Sequence, residues 1–402
     1  MTKSSVALSN LRGVVIVIVL AFHSSLAYLA SAPNPTAAFS QAPYSWQAFP
    51  IVDSHRWLGF DLFCAWQDVS LMSLMFFLSG MLAAGSLVRK GARAYGSDRL
   101  WRIGLPFLVA ALFLSPLAYY PAYLARTTDP TLTGFWHRWI SLPFWPAGPQ
   151  WFLWQLVVLN LLAACLYVVA PAAVARLGQL AAWAGTRPIK FFALLVAVSA
   201  VGYVPLALAF SPWHWSAVGP FALQLSRPAV YIVYFFAGFA LGSHGLDRGL
   251  LASDGPLALK WWAWLAGAVV SFALWAGVTS LTMPHWSMAS LGAQFGASLA
   301  YPIACAAGGL CLIAASLRLS RWRARVLDSL SANAYGMYMV HYVFVVWLQY
   351  ALLGSGLNAA AKLAIVLTGA VIMSWGSSAA FGRLMADSPV VATKPAVSPV
   401  SQ

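Results

Sequence analysis

Long apolar runs alternate with short polar segments along almost the whole chain. A helix needs about 20 mostly apolar residues to cross a bilayer, and ten stretches have this character. The ten predicted spans lie near residues 11–31, 66–88, 103–124, 150–170, 189–210, 228–243, 258–281, 291–316, 332–352 and 362–384. The pattern therefore predicts an all-α, polytopic membrane helix bundle with about ten transmembrane helices.

The composition excludes a soluble protein. Of the 402 residues, 61% are hydrophobic and 8% are charged, whereas a soluble surface needs roughly a quarter to a third of its positions charged. All nine acidic residues are Asp, which excludes soluble enzymes built on two carboxylates and Glu-dependent metal sites on helices. The four Cys form neither a disulfide framework nor a zinc motif. We expect no metal site and no permanently bound cofactor.

The basic residues predict the orientation of the bundle. If the N-terminus is cytoplasmic, 18 of the 23 Lys and Arg residues fall on the cytoplasmic side and five fall outside. Such an excess is typical of cytoplasmic loops, so both termini are predicted to be cytoplasmic. The net charge of +14 alternates between the two sides without forming a stripe, which disfavours nucleic acid as a partner.

One multi-pass domain is predicted over residues 1–386, followed by a disordered cytoplasmic tail over 387–402. The first span resembles a cleavable signal, but His23 within the apolar run and Pro33 after it favour a retained helix. Small residues spaced by four are predicted to let helices pack closely. They are the pairs Gly238/Gly242 and Gly292/Gly296.

Two ionisable side chains share one face of the first span. His23 follows Arg12 by eleven residues, and eleven steps of about 100° end about 20° past three full turns. At about 1.5 Å per residue the two side chains lie about 16 Å apart along the helix axis. Because ionisable groups inside a membrane are costly, such a pair indicates function.

The two side chains suit an elongated anionic ligand. The guanidinium of Arg12 is predicted to hold phosphate near the cytoplasmic surface. A neutral imidazole at His23, near the middle of the membrane, is suited to act as a general base on a hydroxyl. The alternative is that Arg12 only anchors the helix in the cytoplasm and that His23 only packs against a neighbouring helix.

A second histidine lies inside the ninth predicted span. The rise per residue places His341 about 14 Å from the start of that span, at a depth similar to that of His23. Tyr338 precedes His341 by three residues and shares its face. An interhelical hydrogen bond explains His341 as well as a functional role does, so both interpretations stay open here.

Four stretches in chain order resemble the membrane-bound acyltransferase family 3, the bacterial integral-membrane O-acyltransferases. They are Leu11-Arg12-Gly13 with His23, residues 76–80 (FFLSG), residues 99–106 (RLWRIGLP) with its Arg-x-x-Arg, and residues 335–341 (YGMYMVH). Many members carry Gly-Val-Asp shortly before FFLSG, whereas this chain has Ser73 there. The long first outer loop and the plain FFLSG resemble the branch that includes glucan succinyltransferases.

The resemblance implies a reaction and its partners. Members move an acyl group, often acetyl or succinyl, from cytoplasmic acyl-coenzyme A (acyl-CoA) to a hydroxyl of an extracytoplasmic or lipid-linked carbohydrate. It implies that Arg12 and His23 are catalytic and that Arg99 and Arg102 help Arg12 to hold the donor. In this interpretation acyl-CoA is a co-substrate, and the bilayer and a carbohydrate or glycolipid acceptor are the other partners.

The expected mechanism is direct transfer. His23 takes the proton of the acceptor hydroxyl, and the alkoxide attacks the thioester carbonyl. Tyr338, Ser79 and His341 are possible accessory residues that hydrogen-bond the oxyanion. Without Glu, an Asp, a backbone carbonyl or a hydroxyl must orient His23. Asp68 is the one acid near the membrane there, and the alternative, which we favour, is that it is a helix-end residue in water.

A transporter or flippase of a glycan or lipid intermediate is the competing class, because such proteins also use about ten helices and intramembrane histidines. Proton-coupled transporters usually carry several buried acids and matched halves, which this sequence lacks. Nine of the twenty Trp fall in predicted outer loops, in keeping with stacking on sugar rings and also with an interfacial aromatic belt.

Overall fold

The computed structural model describes residues 2–34 and 38–386, without the side chains of 385 and 386, so the predicted tail at 387–402 lies outside the described residues. The helices are α1 (Lys3–Ser25), α2 (Leu58–Lys90), α3 (Ala92–Arg99), α4 (Leu105–Val109), α5 (Ser115–Leu124), α6 (Leu132–Ile140), α7 (Trp151–Val169), α8 (Pro171–Thr186), α9 (Pro188–Phe210), α10 (Pro228–His244), α11 (Pro256–Leu259), α12 (Trp261–Thr282), α13 (Leu291–Leu319), α14 (Arg325–Ala351) and α15 (Ala359–Ala386). Strands β1 (Trp215–Val218) and β2 (Phe221–Gln224) form one antiparallel hairpin between α9 and α10, with Trp215 opposite Gln224.

The all-α, polytopic prediction is confirmed. Across the described residues, eight helices are long and apolar enough to cross a membrane, or nine if α10 and the segment Gly249–Leu259, bent by 86°, form one span. The ninth predicted span corresponds to α14, whose 27 residues are long enough but include the polar side chains of His341 and Gln349. The total of ten spans and the orientation of the termini stay predictions.

Several helices extend beyond the apolar runs that predicted them. α1 begins at Lys3, so Arg12 lies about 14 Å from the start of the helix instead of opening it. α3, α4 and α5 form one continuous helix, joined by π-helical turns at Leu100–Gly104 and Ala110–Leu114. α8 was not predicted, because its apolar residues cover one face only and form no long run.

Glycines set the close packing of α2 against α10. A Cβ at Gly238 would overlap the carbonyl oxygen of Phe77, and a Cβ at Gly242 would overlap that of Met81. The prediction of close packing is therefore confirmed for this pair. For Gly292 and Gly296 it is wrong, because a Cβ at either position would meet no atom within 4 Å.

The helix directions define two ends of the bundle. α1 and α14 run side by side in the same direction, as the contacts of Gly13 with Leu327 and of His23 with His341 show. α2 and α10 both start at the end of the bundle where α1 finishes. There the carboxylate of Asp61, near the start of α2, accepts hydrogen bonds from the backbone N–H groups that follow α1. We call the end that carries Arg12, Arg99 and Lys90 the basic end, and the other the far end.

A second hydrophobic core closes the far end. It packs the loop between α1 and α2 onto α5, α6 and α14, and its largest members are buried aromatic side chains. They are Tyr28, Phe39, Trp46, Tyr119, Tyr123, Phe135 and Trp139. The main core fills the space between the long helices. The buried aromatic side chains pack the described part of the loop between α1 and α2 against α5, α6 and α14.

Candidate functional site

A cavity of about 260 Å³ lies between α1, α2, α7, α14 and the first π-helical turn. Its lining is mostly apolar and comes from Val15, Ile16, Val19, Met75, Leu78, Leu82, Ile103, Phe152, Leu153, Leu156 and Ala334. The polar lining residues are Arg12, Ser79, Arg99, Asn160, Tyr335 and Tyr338. The cavity thus combines two cations with long apolar walls, a combination suited to a ligand with a charged head and an apolar arm.

Arg12 is a half-buried cation on α1. No hydrogen bond or ion pair of its guanidinium is found among the described residues, although it faces the cavity. Val15, Ile16 and Val19 follow it on the same helix face at steps of three, four and seven residues. The face predicted to carry Arg12 therefore lines the cavity for two turns beyond it.

The predicted pair Arg99 and Arg102 separates in the structure. Arg99 lines the cavity, its guanidinium carbon lies 4.7 Å from the centre of the Tyr95 ring, and its buried Nε has no hydrogen-bond partner. Arg102 points away: its side chain is 73% exposed, and its Nε lies 2.8 Å from an oxygen of Asp98. The π-helical turn that starts at Leu100 changes the helical phase, so the two arginines do not face the same space.

Two residues of the FFLSG motif (residues 76–80) pack against α10, and a third lines the cavity. Phe76 stacks on Tyr231 with ring centres 4.5 Å apart, and a Cβ at Gly80 would overlap the carbonyl oxygen of Phe235. Ser79 lines the cavity, and no hydrogen bond of its hydroxyl is found among the described residues. Of the three predicted oxyanion partners, Ser79 thus keeps a free hydroxyl.

The two intramembrane histidines are in contact. Nε2 of His341 lies 3.3 Å from Nδ1 of His23, and the ring centres are 5.0 Å apart. The same Nδ1 of His23 lies 2.9 Å from the carbonyl oxygen of Val19, while Nδ1 of His341 lies 2.7 Å from that of Tyr338. Gln349 donates to the carbonyl oxygen of His23 at 3.0 Å and fixes the end of α1. The predicted similar depth of the two histidines is confirmed by this contact.

Backbone carbonyls determine the tautomers of both rings. A carbonyl oxygen only accepts, so Nδ1 of each neutral histidine must carry the proton. His341 then offers its Nε2 lone pair to the Nδ1–H group of His23, which it shares with Val19. Nε2 of His23 is left unprotonated, and no hydrogen bond of this atom is found within the described part of the chain. The arrangement provides a base at Nε2.

His23 lies just beyond the cavity and does not line it. The cavity ends at Val19 and Tyr338, the residues whose carbonyl oxygens contact the two histidine rings. The Tyr338 hydroxyl donates to the carbonyl oxygen of Pro149, which holds its ring at this end. Arg12 and His23 therefore share a helix face but occupy successive positions, with Tyr338 at the boundary.

Other candidate groups near the site have structural partners. Asp68 forms an ion pair with Arg227, with Oδ1 2.8 Å from Nη1, so this carboxylate does not orient His23. Among the residues that the structure describes, no group of three or more His, Cys or Asp could hold a metal ion. The carbonyl of Val19 and the ring of His341 orient His23 instead.

Sequence reasoning missed several residues of the site. Asn160 lines the cavity and accepts a hydrogen bond from the Tyr95 hydroxyl, but an isolated Asn in an apolar run gave no signal. Phe152 belongs to the cavity wall and packs against Tyr338 with ring centres 5.8 Å apart. Gln349 follows His341 by eight residues, about 80° round the helix, so the spacing alone did not predict its contact with α1.

One comparison with known proteins gave a match. The family model of acyltransferase family 3, described as an acyltransferase domain, matches residues 5–379. No curated protein and no solved structure matches the chain. The matched region includes the cavity, the histidine pair and all four motifs.

Proposed function

The chain belongs to acyltransferase family 3, and from this premise we propose that it acylates a hydroxyl of an extracytoplasmic or lipid-linked carbohydrate with acyl-CoA as the donor. It is a multi-pass membrane protein and an enzyme that transfers acyl groups other than aminoacyl groups. The proposal adds an acetyl or succinyl group as the cargo, the inner cell membrane as the location, and a cytoplasmic basic end.

The guanidinium of Arg12, which forms no hydrogen bond or ion pair with any residue that the structure describes, is the observation that carries the proposal. A half-buried cation without a carboxylate partner beside an apolar wall is costly unless a ligand supplies the anion. Arg99, at the same cavity, offers a second guanidinium with an unpartnered Nε. Phosphate groups are well suited to this pair, because guanidinium binds them through two parallel hydrogen bonds.

The apolar walls fit the arm that joins those phosphates to the thioester. The lining of α1 continues from Arg12 through Val15 and Ile16 to Val19, one turn before His23. Arg12 and His23 lie about 16 Å apart along the helix axis, so the donor must be elongated. In this proposal the ring of Tyr338 turns aside when the acyl end arrives, because it lies between the cavity and the histidine pair.

The chemical step uses the free nitrogen of His23. The acceptor hydroxyl gives its proton to Nε2, its oxygen forms a bond with the thioester carbonyl carbon, and the carbon–sulfur bond then breaks. The proton returns from His23 to the sulfur of coenzyme A. No residue is assigned to the oxyanion, because the Tyr338 hydroxyl and the His341 ring are engaged elsewhere and Ser79 lines the cavity, which ends before His23.

His341 acts as a positioning residue in this mechanism. Its Nε2 lone pair accepts from Nδ1–H of His23, which favours the tautomer with a free Nε2. When His23 takes up a proton, the same contact stabilises the imidazolium. The backbone carbonyl of Val19 supplies the second acceptor, so a chain without Glu still orients its base.

The test uses purified protein in liposomes with radiolabelled acetyl-CoA or succinyl-CoA and a cell-envelope glycan fraction. We expect label to move to glycan and free coenzyme A to appear in equal amount. Mass spectrometry of envelope glycans from cells with and without the gene then identifies the acceptor and the added mass. Movement of a glycan across the liposome membrane without a new covalent mass would contradict the proposal and support a flippase.

A further inference from the structure

The hairpin of β1 and β2 lies in a segment that the apolar pattern assigns to an outer loop. The predicted spans end at residue 210 and resume at residue 228, so this interpretation puts residues 211–227 outside the membrane. In the structure the two strands are joined by Gly219 and Pro220, and Val218 pairs with Phe221 at the tip. The contacts of the hairpin give it a different position.

The tip of the hairpin contacts a membrane-spanning helix near the middle of its length. The ring of Phe221 packs against that of Phe107 in α4, with ring centres 5.5 Å apart. Phe107 belongs to the continuous helix of 33 residues from Ala92 to Leu124. At about 1.5 Å per residue it lies about 22 Å from one end of that helix and about 26 Å from the other. Because the hydrocarbon core of a bilayer is about 30 Å thick, the tip reaches the depth of this core.

The start of α7 gives the same depth independently. The indole N–H of Trp154, in the first turn of α7, donates to the carbonyl oxygen of Ala222 in β2 at 2.9 Å. Gln150, directly before α7, donates to the carbonyl oxygen of Met339, two residues before His341. α7 therefore begins at about the depth of the histidine pair, and β2 lies at that depth beside it.

The hairpin carries no charge, and the side chains that its strands expose are all apolar. No Lys, Arg, Asp or Glu occurs from residue 191 to residue 226. The exposed side chains of the two strands are those of Trp215, Ala217, Val218 and Phe221, and that of Val218 is 79% exposed. The helix on which the tip packs also exposes apolar side chains before and after Phe107, namely Leu105, Leu108, Val109 and Leu112. Such a surface is costly in water and favourable in hydrocarbon.

Several backbone groups of the hairpin have partners within the protein, as a position in hydrocarbon requires. β1 and β2 bond to each other as antiparallel strands. At the turn, the carbonyl oxygen of Gly219 accepts from the backbone N–H of Trp145 at 3.3 Å. At the base, the carbonyl oxygen of His214 accepts from the backbone N–H of Leu225 at 2.9 Å. Together with the bond from α7 to β2, these contacts lower the cost of placing the hairpin in the bilayer.

We propose that the hairpin is a re-entrant element that enters the bilayer from the far end and contacts lipid acyl chains through Val218 and Phe221. The partner is the hydrocarbon of the bilayer, because the exposed side chains are apolar and lie at the depth of an apolar span. The inserted hairpin also braces the start of α7, where Trp215 meets Trp151 edge-to-face with ring centres 5.3 Å apart. This proposal does not depend on the donor or the acceptor of the acyl group.

The test measures whether lipid or water surrounds the hairpin. In the full-length protein, Cys165→Ser removes the exposed cysteine, and Val218→Cys then carries a nitroxide spin label on the hairpin. The labelled protein is placed in phosphatidylcholine liposomes. Electron paramagnetic resonance compares the label's collisions with oxygen, which concentrates in hydrocarbon, and with a neutral nickel chelate, which stays in water. We expect collisions with oxygen to exceed those with nickel at residue 218.

Thr128→Cys in the same background is the matched control, because Thr128 is exposed in the polar loop between α5 and α6 at the far end. Its label should collide more often with nickel than with oxygen. Ala217→Cys, at a second exposed position of β1, replaces Val218→Cys if that protein does not fold. Nickel collisions on the hairpin as frequent as those at residue 128 would overturn the proposal and place the hairpin in a water-filled recess.

Discussion

The two ends of the bundle treat their buried charges differently. At the far end Lys362 and Asp53 are both almost fully buried and lie 2.7 Å apart, and Arg227 is paired with Asp68. Arg126 there donates to the carbonyl oxygens of Pro50 and Ala122 at 2.7 and 3.0 Å. At the basic end, Arg12 and Arg99 both line the cavity, and neither forms an ion pair with any described residue.

This difference separates architecture from function. A buried charge with a good partner holds the fold, whereas a cation left without one beside a cavity indicates that a ligand supplies the missing anion. Positive-inside topology alone would predict basic residues at one end, but it does not predict that one of them faces an apolar cavity. The four predictions below test the contrast, from the largest expected effect to the smallest.

Breaking the buried pair at the far end should have a large effect on stability. Lys362→Met leaves the carboxylate of Asp53 buried without its cation, and we expect the free energy of unfolding to fall by about 3–5 kcal/mol. Thermal unfolding in detergent measures the change. The double variant Lys362→Met with Asp53→Leu should recover most of the loss, and a double variant as unstable as the single one would contradict a role for the pair.

Removing the acceptor behind His23 should slow transfer and leave donor binding intact. His341→Leu deletes the Nε2 lone pair, and we expect kcat to fall by about 10- to 100-fold, as for other groups that orient a catalytic histidine. The KM for acyl-CoA should not change. His341→Gln restores an acceptor oxygen and should recover part of the rate. Equal kcat values for the Leu and Gln variants would show that His341 only fills space.

Neutralising the unpaired cation should weaken donor binding. Arg12→Gln removes the proposed phosphate contact, so we expect KM for acyl-CoA to rise about tenfold with little change in kcat. Raising the salt concentration should weaken binding more in the unmodified protein than in this variant. A KM that does not depend on Arg12 would show that the cavity binds something other than the donor's phosphates.

Arg102 supplies the matched control at the same end. Its side chain is 73% exposed and already pairs with Asp98, so Arg102→Gln should change KM for acyl-CoA by less than about twofold. Steady-state kinetics on the two arginine variants, measured side by side, check this. An effect of Arg102→Gln as large as that of Arg12→Gln would mean that charge at the basic end matters more than the position of a guanidinium at the cavity.

Much of the fold was predictable because local pattern decides it. Apolar runs located the long helices, and the glycine spacing of α10 predicted close packing, which the structure shows against α2. The pair Gly292/Gly296 has the same spacing but contacts nothing, since small residues permit close packing without causing it. The prediction of helices missed α8, because its apolar residues cover only one face of the helix and form no long run.

The candidate site was predictable in part. Arg12 and His23 were found because a straight helix fixes their relation, and the common depth of His341 followed from the same rise per residue. The separation of Arg99 from Arg102 depends on a π-helical turn, which the sequence does not reveal. The positions of the Tyr338 ring and of the Val19 carbonyl depend on tertiary contacts, so no residue pattern could give them.

The central claim is that Arg12 holds the donor while Nε2 of His23 activates the acceptor. Its most direct test is His23→Ala, with coenzyme A binding and the rate of acyl transfer measured on the same liposome preparation. We predict unchanged binding, because His23 does not line the donor cavity, and a loss of transfer of about 10²- to 10⁴-fold. Unchanged transfer in a stably folded His23→Ala protein would contradict the account.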